Sequence, residues 1–124
     1  MFAGRSDDTT GMIRMICSAI DSKQIIRFYY QGEFRLVEPF CLGTMSPGKD
    51  IALKCYQVGG YSRFGQPVGW KLFRFSQISD LAVTDNHFPG ARPGYDPNDI
   101  DIETIYCRVE VSKVPEEREP QNRL

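Results

Sequence analysis

The first apolar pattern along the chain has the period of an α-helix. Its members recur at intervals of three and four residues: Ile13, Ile16, Cys17 and Ile20. Asp8, Thr9 and Thr10 precede them, and each of these side chains can cap a helix N-terminus. The spacing therefore predicts one amphipathic helix that ends near residues 21–23 and follows a disordered leader at residues 1–8.

From Gln24 the apolar period changes to two, which is typical of β-strands. A first strand ends at Tyr30, Gly32 suits a hairpin turn, and a second strand follows over residues 34–38. We expect Pro39 to end this strand, because proline cannot donate a hydrogen bond to a β-ladder. Further strands are predicted at residues 51–58, 70–75, 81–84 and 104–112.

These short, closely spaced strands after a single helix predict a mainly β protein. We expect a small, strongly bent β-barrel at residues 9–88, of about five strands, with the helix across its open end. A C-terminal extension over residues 89–114 adds the further strand, and residues 115–124 form a polar, disordered tail. The further strand either closes a sheet edge or pairs with a second copy of the chain.

The net charge of −1 conceals an uneven distribution of charged residues. Residues 23–75 carry eight cations and three anions, whereas residues 76–124 carry five cations and ten anions. Because the local field matters more than the net charge, the basic half favours an anionic partner. Alternatively, the acidic half merely keeps the protein soluble.

Arginine, lysine and tyrosine side chains accompany the predicted strands. An arginine offers a bidentate fork to phosphate, a lysine supplies a point charge, and a tyrosine ring can stack on a base. Each side chain can instead have a structural role, since Arg35 can pair with Glu33 or Glu38 and Tyr30 can belong to the core. The candidate ligand-binding residues are Tyr30, Arg35, Lys54, Tyr56, Arg63, Lys71 and Arg74.

The sequence contains few patterns typical of catalytic or metal-binding sites, and each is incomplete. The widely spaced cysteines contain no C-x-x-C pair, so we interpret them as apolar core residues: Cys17, Cys41, Cys55 and Cys107. His87 is the single histidine, and the glycine-rich loop at residues 59–69 lacks the G-K-[ST] of a phosphate-binding loop. Residues 96–101 begin like a calcium loop but lack its glycine, so we interpret them as a turn. We therefore predict no catalytic residue, no metal, no cofactor and no enzymatic activity.

Membrane association and export are not predicted. The longest apolar runs are far shorter than a membrane-spanning helix, and the N-terminus lacks the plan of a signal peptide. We therefore expect a cytoplasmic protein without a membrane partner.

Several short motifs occur in a characteristic order and spacing: Ala19-Ile20, Ile26-Arg27-Phe28-Tyr29-Tyr30, Arg35-Leu36-Val37-Glu38-Pro39, Lys71-Leu72-Phe73-Arg74-Phe75-Ser76-Gln77-Ile78 and Phe88. With them, residues 20–88 resemble the WYL domain, a bacterial ligand-sensing module. Two features depart from that family. Ile51-Ala52-Leu53 stands where the family has Trp-Tyr-Leu, and one helix precedes the strands where most members carry a helix-turn-helix.

The resemblance implies an SH3-like, Sm-type barrel with a concave basic surface. That surface would bind a nucleotide or short single-stranded nucleic acid, in transcriptional regulation or in phage-defence and CRISPR-associated regulation. We therefore expect a non-catalytic sensor that acts through a partner protein or as a homodimer. The alternative is a protein-interaction or oligomerisation module that docks an acidic partner.

Overall fold

A computed structural model describes residues 4–45, 50–60, 68–98 and 101–110. One helix precedes six strands, and a short 3-10 helix at Phe75–Gln77 joins the fourth strand to the fifth. The elements are α1 (Gly4–Ser22), β1 (Gln24–Tyr30), β2 (Glu33–Met45), β3 (Ile51–Gly60), β4 (Gly69–Arg74), β5 (Ile78–His87) and β6 (Ile102–Arg108).

All six strands form one antiparallel sheet around β2. The strand order is β4-β3-β2-β1-β5, and β6 pairs with β2 outside this path. One edge of β2 pairs with β3 over residues 35–44. The other edge pairs with β1 over residues 33–37 and with β6 over residues 41–45. The strand β2 is therefore bonded along both edges, and β1 and β6 share its second edge end to end.

The hairpin between β1 and β2 confirms the expected turn at Gly32. Gln31 and Gly32 have φ angles of 55° and 78°. Two successive residues with positive φ are the geometry of a type I′ turn, whose twist matches that of the strands on either side.

The strand β2 does not end at Pro39, and that expectation was wrong. A register shift against β3 lies between Pro39 and Cys41. On the opposite edge, Pro39 falls in the gap between Val37, the last partner of β1, and Cys41, the first partner of β6. Because the ladder is irregular on one side and open on the other, the strand tolerates a residue that has no N–H.

A large part of the main hydrophobic core lies on one face of this bent sheet, which we call the inner face. Cross-strand pairs bring together Ile26 with Val37 and Leu53 with Phe73 on that face. The apolar stripe of α1 packs against this core. Its fully buried members are Ile16, Ala19 and Ile20. The apolar stripe that the helical period predicts thus faces the sheet.

A disulfide joins α1 to β6. Cys17 and Cys107 lie 90 residues apart in sequence, and their Cα atoms are 5.6 Å apart. Cys41 and Cys55 are buried free thiols, as expected of core cysteines. The interpretation of all four cysteines as core thiols was therefore wrong for Cys17 and Cys107.

The mainly β class, the N-terminal helix and the further C-terminal strand are confirmed. The sheet is not closed into a barrel, because β4 and β5 end the strand order with no ladder between them in the described ranges. The helix begins at Gly4 and so includes residues expected to form a disordered leader. The strand β6 begins at Ile102 and pairs within its own chain.

No described helix has both the length and the apolar content needed to cross a bilayer. The expected tail at residues 115–124 lies outside the described residues.

Gly43 lets β6 approach β2, and we predict that Gly43→Ala lowers the free energy of unfolding by about 1–3 kcal/mol. An added Cβ would overlap the carbonyl oxygen of Thr104 and lie 2.6 Å from Cγ2 of Ile102. Urea denaturation measures the loss, and hydrogen exchange should show faster opening of the β6 amides.

Gly11→Ala is the matched control, since it adds the same methyl group inside α1 where nothing lies within 4 Å. It should stabilise the protein by about 1 kcal/mol, because alanine favours a helix more than glycine does. Equal effects of the two substitutions on unfolding would contradict the packing seen at Gly43.

Candidate functional site

Three of the sequence-predicted site residues share the inner face of the sheet. Arg35 is the cross-strand partner of the core residue Phe28, and Lys71 is the partner of the buried Cys55. Tyr30 lies two residues after Phe28 on β1 and therefore on the same side. Cross-strand partners project to one face of a sheet. We call Tyr30, Arg35 and Lys71 the inner cluster.

The guanidinium of Arg35 lies among aromatic rings. Its Cζ is 5.6 Å from the ring centroid of Tyr30 and 5.3 Å from that of Phe73. Its Nη2 donates a 3.4 Å hydrogen bond to the carbonyl oxygen of Tyr30. The residue is only 5% exposed. A cation at this depth is unusual for arginine, and the negative faces of the two rings partly replace its water shell.

The Tyr30 ring is itself held in place. It meets the Phe73 ring edge to face, with centroids 4.6 Å apart. Its hydroxyl oxygen accepts a 3.1 Å hydrogen bond from the backbone N–H of Arg74. The side chain that supports the Arg35 guanidinium is therefore fixed at both its ring and its hydroxyl.

Cys55 of β3 lies on the same inner face as Arg35 and Lys71. Burial raises the pKa of its thiol well above the ordinary value, and the positive charges of Lys54, Lys71 and Arg35 only partly oppose this shift. A protonated, fully buried thiol is a poor nucleophile. Of these cations, Arg35 and Lys71 share the inner face with Cys55 and create a positive potential there.

The opposite, outer face of the sheet carries Tyr56, whose cross-strand partners are Glu38 and Trp70. Arg92 of the C-terminal extension lies over this ring, with its Cζ 4.0 Å from the centroid. The same guanidinium donates two hydrogen bonds to the Glu38 carboxylate, at 2.8 and 2.9 Å. One face of the predicted stacking ring is therefore covered by the chain itself.

Glu38 and Arg92 form a largely buried ion pair. The Glu38 side chain is 5% exposed and that of Arg92 is 32% exposed. The hydrogen bonds from Arg92 to Glu38 raise the pKa of the guanidinium, so Arg92 stays charged. No sequence pattern indicated this pair, because Arg92 lies in an irregular segment without apolar periodicity.

Aromatic residues fasten the extension beside this pair. The Trp70 indole N–H donates a 3.0 Å hydrogen bond to the Pro93 carbonyl. The Tyr95 ring stacks on Trp70 with centroids 6.1 Å apart, and its hydroxyl donates a 2.6 Å hydrogen bond to the Val109 carbonyl. Burial raises the pKa of Tyr95 to about 12. The extension thus packs against the outer face of the sheet.

Lys54 and Arg74 have carboxylate partners. Lys54 Nζ lies 3.4 Å from a carboxylate oxygen of Asp101, and Arg74 Nη1 lies 2.7 Å from one of Asp50. Both cations belong to the outer side of their strands, since Ala52 is the partner of Arg74 and Lys54 lies two residues further along β3. The predicted residues thus divide between two faces, and Arg63 lies outside the described residues.

The remaining polar motifs carry no clustered chemistry. His87 is exposed at the end of β5. The backbone N–H of Asn98 donates a 2.9 Å hydrogen bond to the Asp96 carboxylate, which is the geometry of an Asx turn. Within the described ranges no three His, Cys, Asp or Glu residues are grouped so that they could hold a metal ion.

Comparisons of the chain with protein-family models, with curated proteins and with solved structures each find no match. The inner cluster is the group of predicted residues that the fold brings to the inner face.

We predict that Arg92→Ala lowers the free energy of unfolding by about 2–4 kcal/mol, because it leaves the buried Glu38 carboxylate without its cation. Chemical denaturation at neutral pH measures the loss. Adding Glu38→Gln to Arg92→Ala should recover part of it, since the double variant buries no lone charge.

Arg74→Ala is the matched control, because the Arg74 and Asp50 side chains are 50% and 71% exposed. Its cost should stay below about 1 kcal/mol. A loss for Arg92→Ala no larger than that for Arg74→Ala would contradict a structural role for the buried pair.

Proposed function

We propose that this protein is a non-catalytic ligand-sensing or regulatory module that binds an anionic ligand at the inner cluster. The ligand class is a nucleotide or a short single-stranded nucleic acid. The observation that carries the proposal is the Arg35 guanidinium, buried against the Tyr30 and Phe73 rings on a face that also carries Lys71.

The chemistry of the inner cluster suits phosphate. Arginine presents a planar fork that matches two phosphate oxygens, and an ammonium group such as that of Lys71 adds a second positive charge. Tyr30 supplies an aromatic ring beside them, and aromatic rings are the usual platform for unpaired bases.

A binding role fits this site better than a catalytic one. Cys55 is a nucleophile on the same face as both cations, and burial raises the pKa of its thiol, which keeps it protonated. Catalysis at a thiol requires the thiolate. The proposed module therefore holds its ligand without changing it.

The setting of this activity is proposed from the resemblance to the WYL domain. That resemblance implies a cytoplasmic module that acts in transcriptional regulation or in phage-defence and CRISPR-associated regulation. Such a ligand-binding module would pass its signal to a partner protein or within a homodimer.

A second candidate function is protein interaction, and exposed aromatic residues on the outer face of β1 and β2 favour it. Tyr29 is 38% exposed and meets Phe34 edge to face, with centroids 6.0 Å apart. Arg27 is exposed on the same strand face. Aromatic residues together with arginine are typical of interface hot spots, and Arg27 would face an acidic partner or a second copy.

Sedimentation over a range of protein concentrations tests this second candidate. If a second copy docks here, Tyr29→Ser should shift the population from dimer to monomer and leave ligand binding at the inner cluster intact. A concentration-independent monomer would leave only an acidic partner. Loss of ligand binding in Tyr29→Ser would contradict the separation of the two faces.

For the anion-binding proposal, we predict that Lys71→Gln weakens the affinity for a short single-stranded oligonucleotide by roughly tenfold, because one phosphate contact is lost. Arg35→Lys keeps the charge but removes the fork, and it should also weaken binding. Fluorescence anisotropy measures both, at low and at moderate salt. The affinity of the unaltered protein should fall steeply as salt rises.

Arg27→Gln is the control, because it removes the same charge from the opposite face. Its affinity should stay within about twofold of the unaltered protein if a defined site, rather than overall charge, holds the ligand. The proposal fails if Lys71→Gln binds like the unaltered protein. It also fails if neither a mononucleotide nor the oligonucleotide binds saturably.

A further inference from the structure

The cysteines fall into two classes by exposure and bonding. Cys41 and Cys55 are 1% and 0% exposed and carry free thiols. Cys17 and Cys107 are partly exposed and form the disulfide between α1 and β6. A thiol reagent in solution can therefore reach the bonded pair more easily than the two buried thiols.

Hydrogen bonds hold β6 along one edge only. It pairs with β2, and that ladder contains register shifts between Leu42 and Gly43 and between Thr44 and Met45. In the described part of the chain β6 has no second strand partner. Ile102 and Ile105 belong to a small cluster with Cys41 and Ala52, and Cys107 packs against the main core beside α1.

Firm anchors lie on either side of β6. Before it, Arg92 is bound to Glu38. After it, the N–H of Val109 donates a 2.8 Å hydrogen bond to the carbonyl of Phe40, and Val109 is buried in the main core. Loosening of β6 would therefore remain local, because the extension stays attached to the sheet at both ends of the strand.

We propose that Cys17 and Cys107 form a redox-sensitive clasp that sets how firmly β6 and α1 are held together. In the closing step a small disulfide such as oxidised glutathione is reduced to two thiols while the Cys17 and Cys107 thiols lose two hydrogens and form one S–S bond. In the opening step two small-molecule thiols reverse the exchange. This inference is independent of the proposed ligand site.

The clasp gives the fold a closed and an open form, which differ in how firmly β6 covers one edge of β2. When it is closed, β6 covers residues 41–45 of β2 and holds Asp101 near Lys54. When it is open, β6 separates from β2 more often, which uncovers that edge and weakens the ion pair. In a reducing compartment the open form prevails, and in an oxidising compartment the closed form prevails.

Thiol counting and hydrogen exchange on the full chain test the clasp. After incubation with oxidised glutathione and denaturation, alkylation should label only the two buried cysteines, and after reduction it should label all four. The β6 amides should exchange at least about tenfold faster in the reduced protein, whereas the amides that pair β2 with β3 should change little.

Cys17→Ser should reproduce the fast exchange of β6, and dithiothreitol should have no further effect on that variant. Cys55→Ala, which leaves the clasp in place, should keep the redox dependence. The proposal is overturned if all four cysteines are alkylated after oxidation. It is equally overturned if β6 exchanges at the same rate in the oxidised and reduced forms of the unaltered chain.

Discussion

Pairing along both edges of β2 is the constraint on which this structure depends. The strand is buried on both faces from Val37 to Gly43, so its backbone groups need partners within the protein. The strand β3 supplies one edge, and β1 and β6 divide the other. The C-terminal extension is therefore part of the same hydrogen-bonded unit as the first hairpin, although far from it in sequence.

The buried carboxylate of Glu38 imposes a second requirement, which the extension also meets. Arg92 neutralises it and in doing so covers the Tyr56 ring. Because one guanidinium does both, neutralising Glu38 leaves one face of the Tyr56 ring unavailable for stacking. On the inner face, Arg35 lies against rings and beside a neutral thiol. That contrast is why the proposed anion site lies with Tyr30, Arg35 and Lys71.

Much of the fold could be predicted from local patterns. The helical spacing from Ile13 to Ile20, the alternation from Ile26 to Tyr30 and the glycine at the first turn each depend on neighbours within a few residues. Pro39 was misjudged because its effect depends on what lies on either side of the strand. The Cys17–Cys107 bond and the Arg92–Glu38 pair were missed because their partners are distant in sequence.

The sequence by itself determined the class of the fold, its N-terminal helix and the types of residue available for an anion site. Alternation along β4 already places Lys71 and Arg74 on opposite faces. Only the tertiary structure decided which of those faces also carries Arg35. That choice depends on hydrogen-bond register and on the shifts at Pro39 and Gln57, and register is set by pairing between strands, which no local pattern encodes.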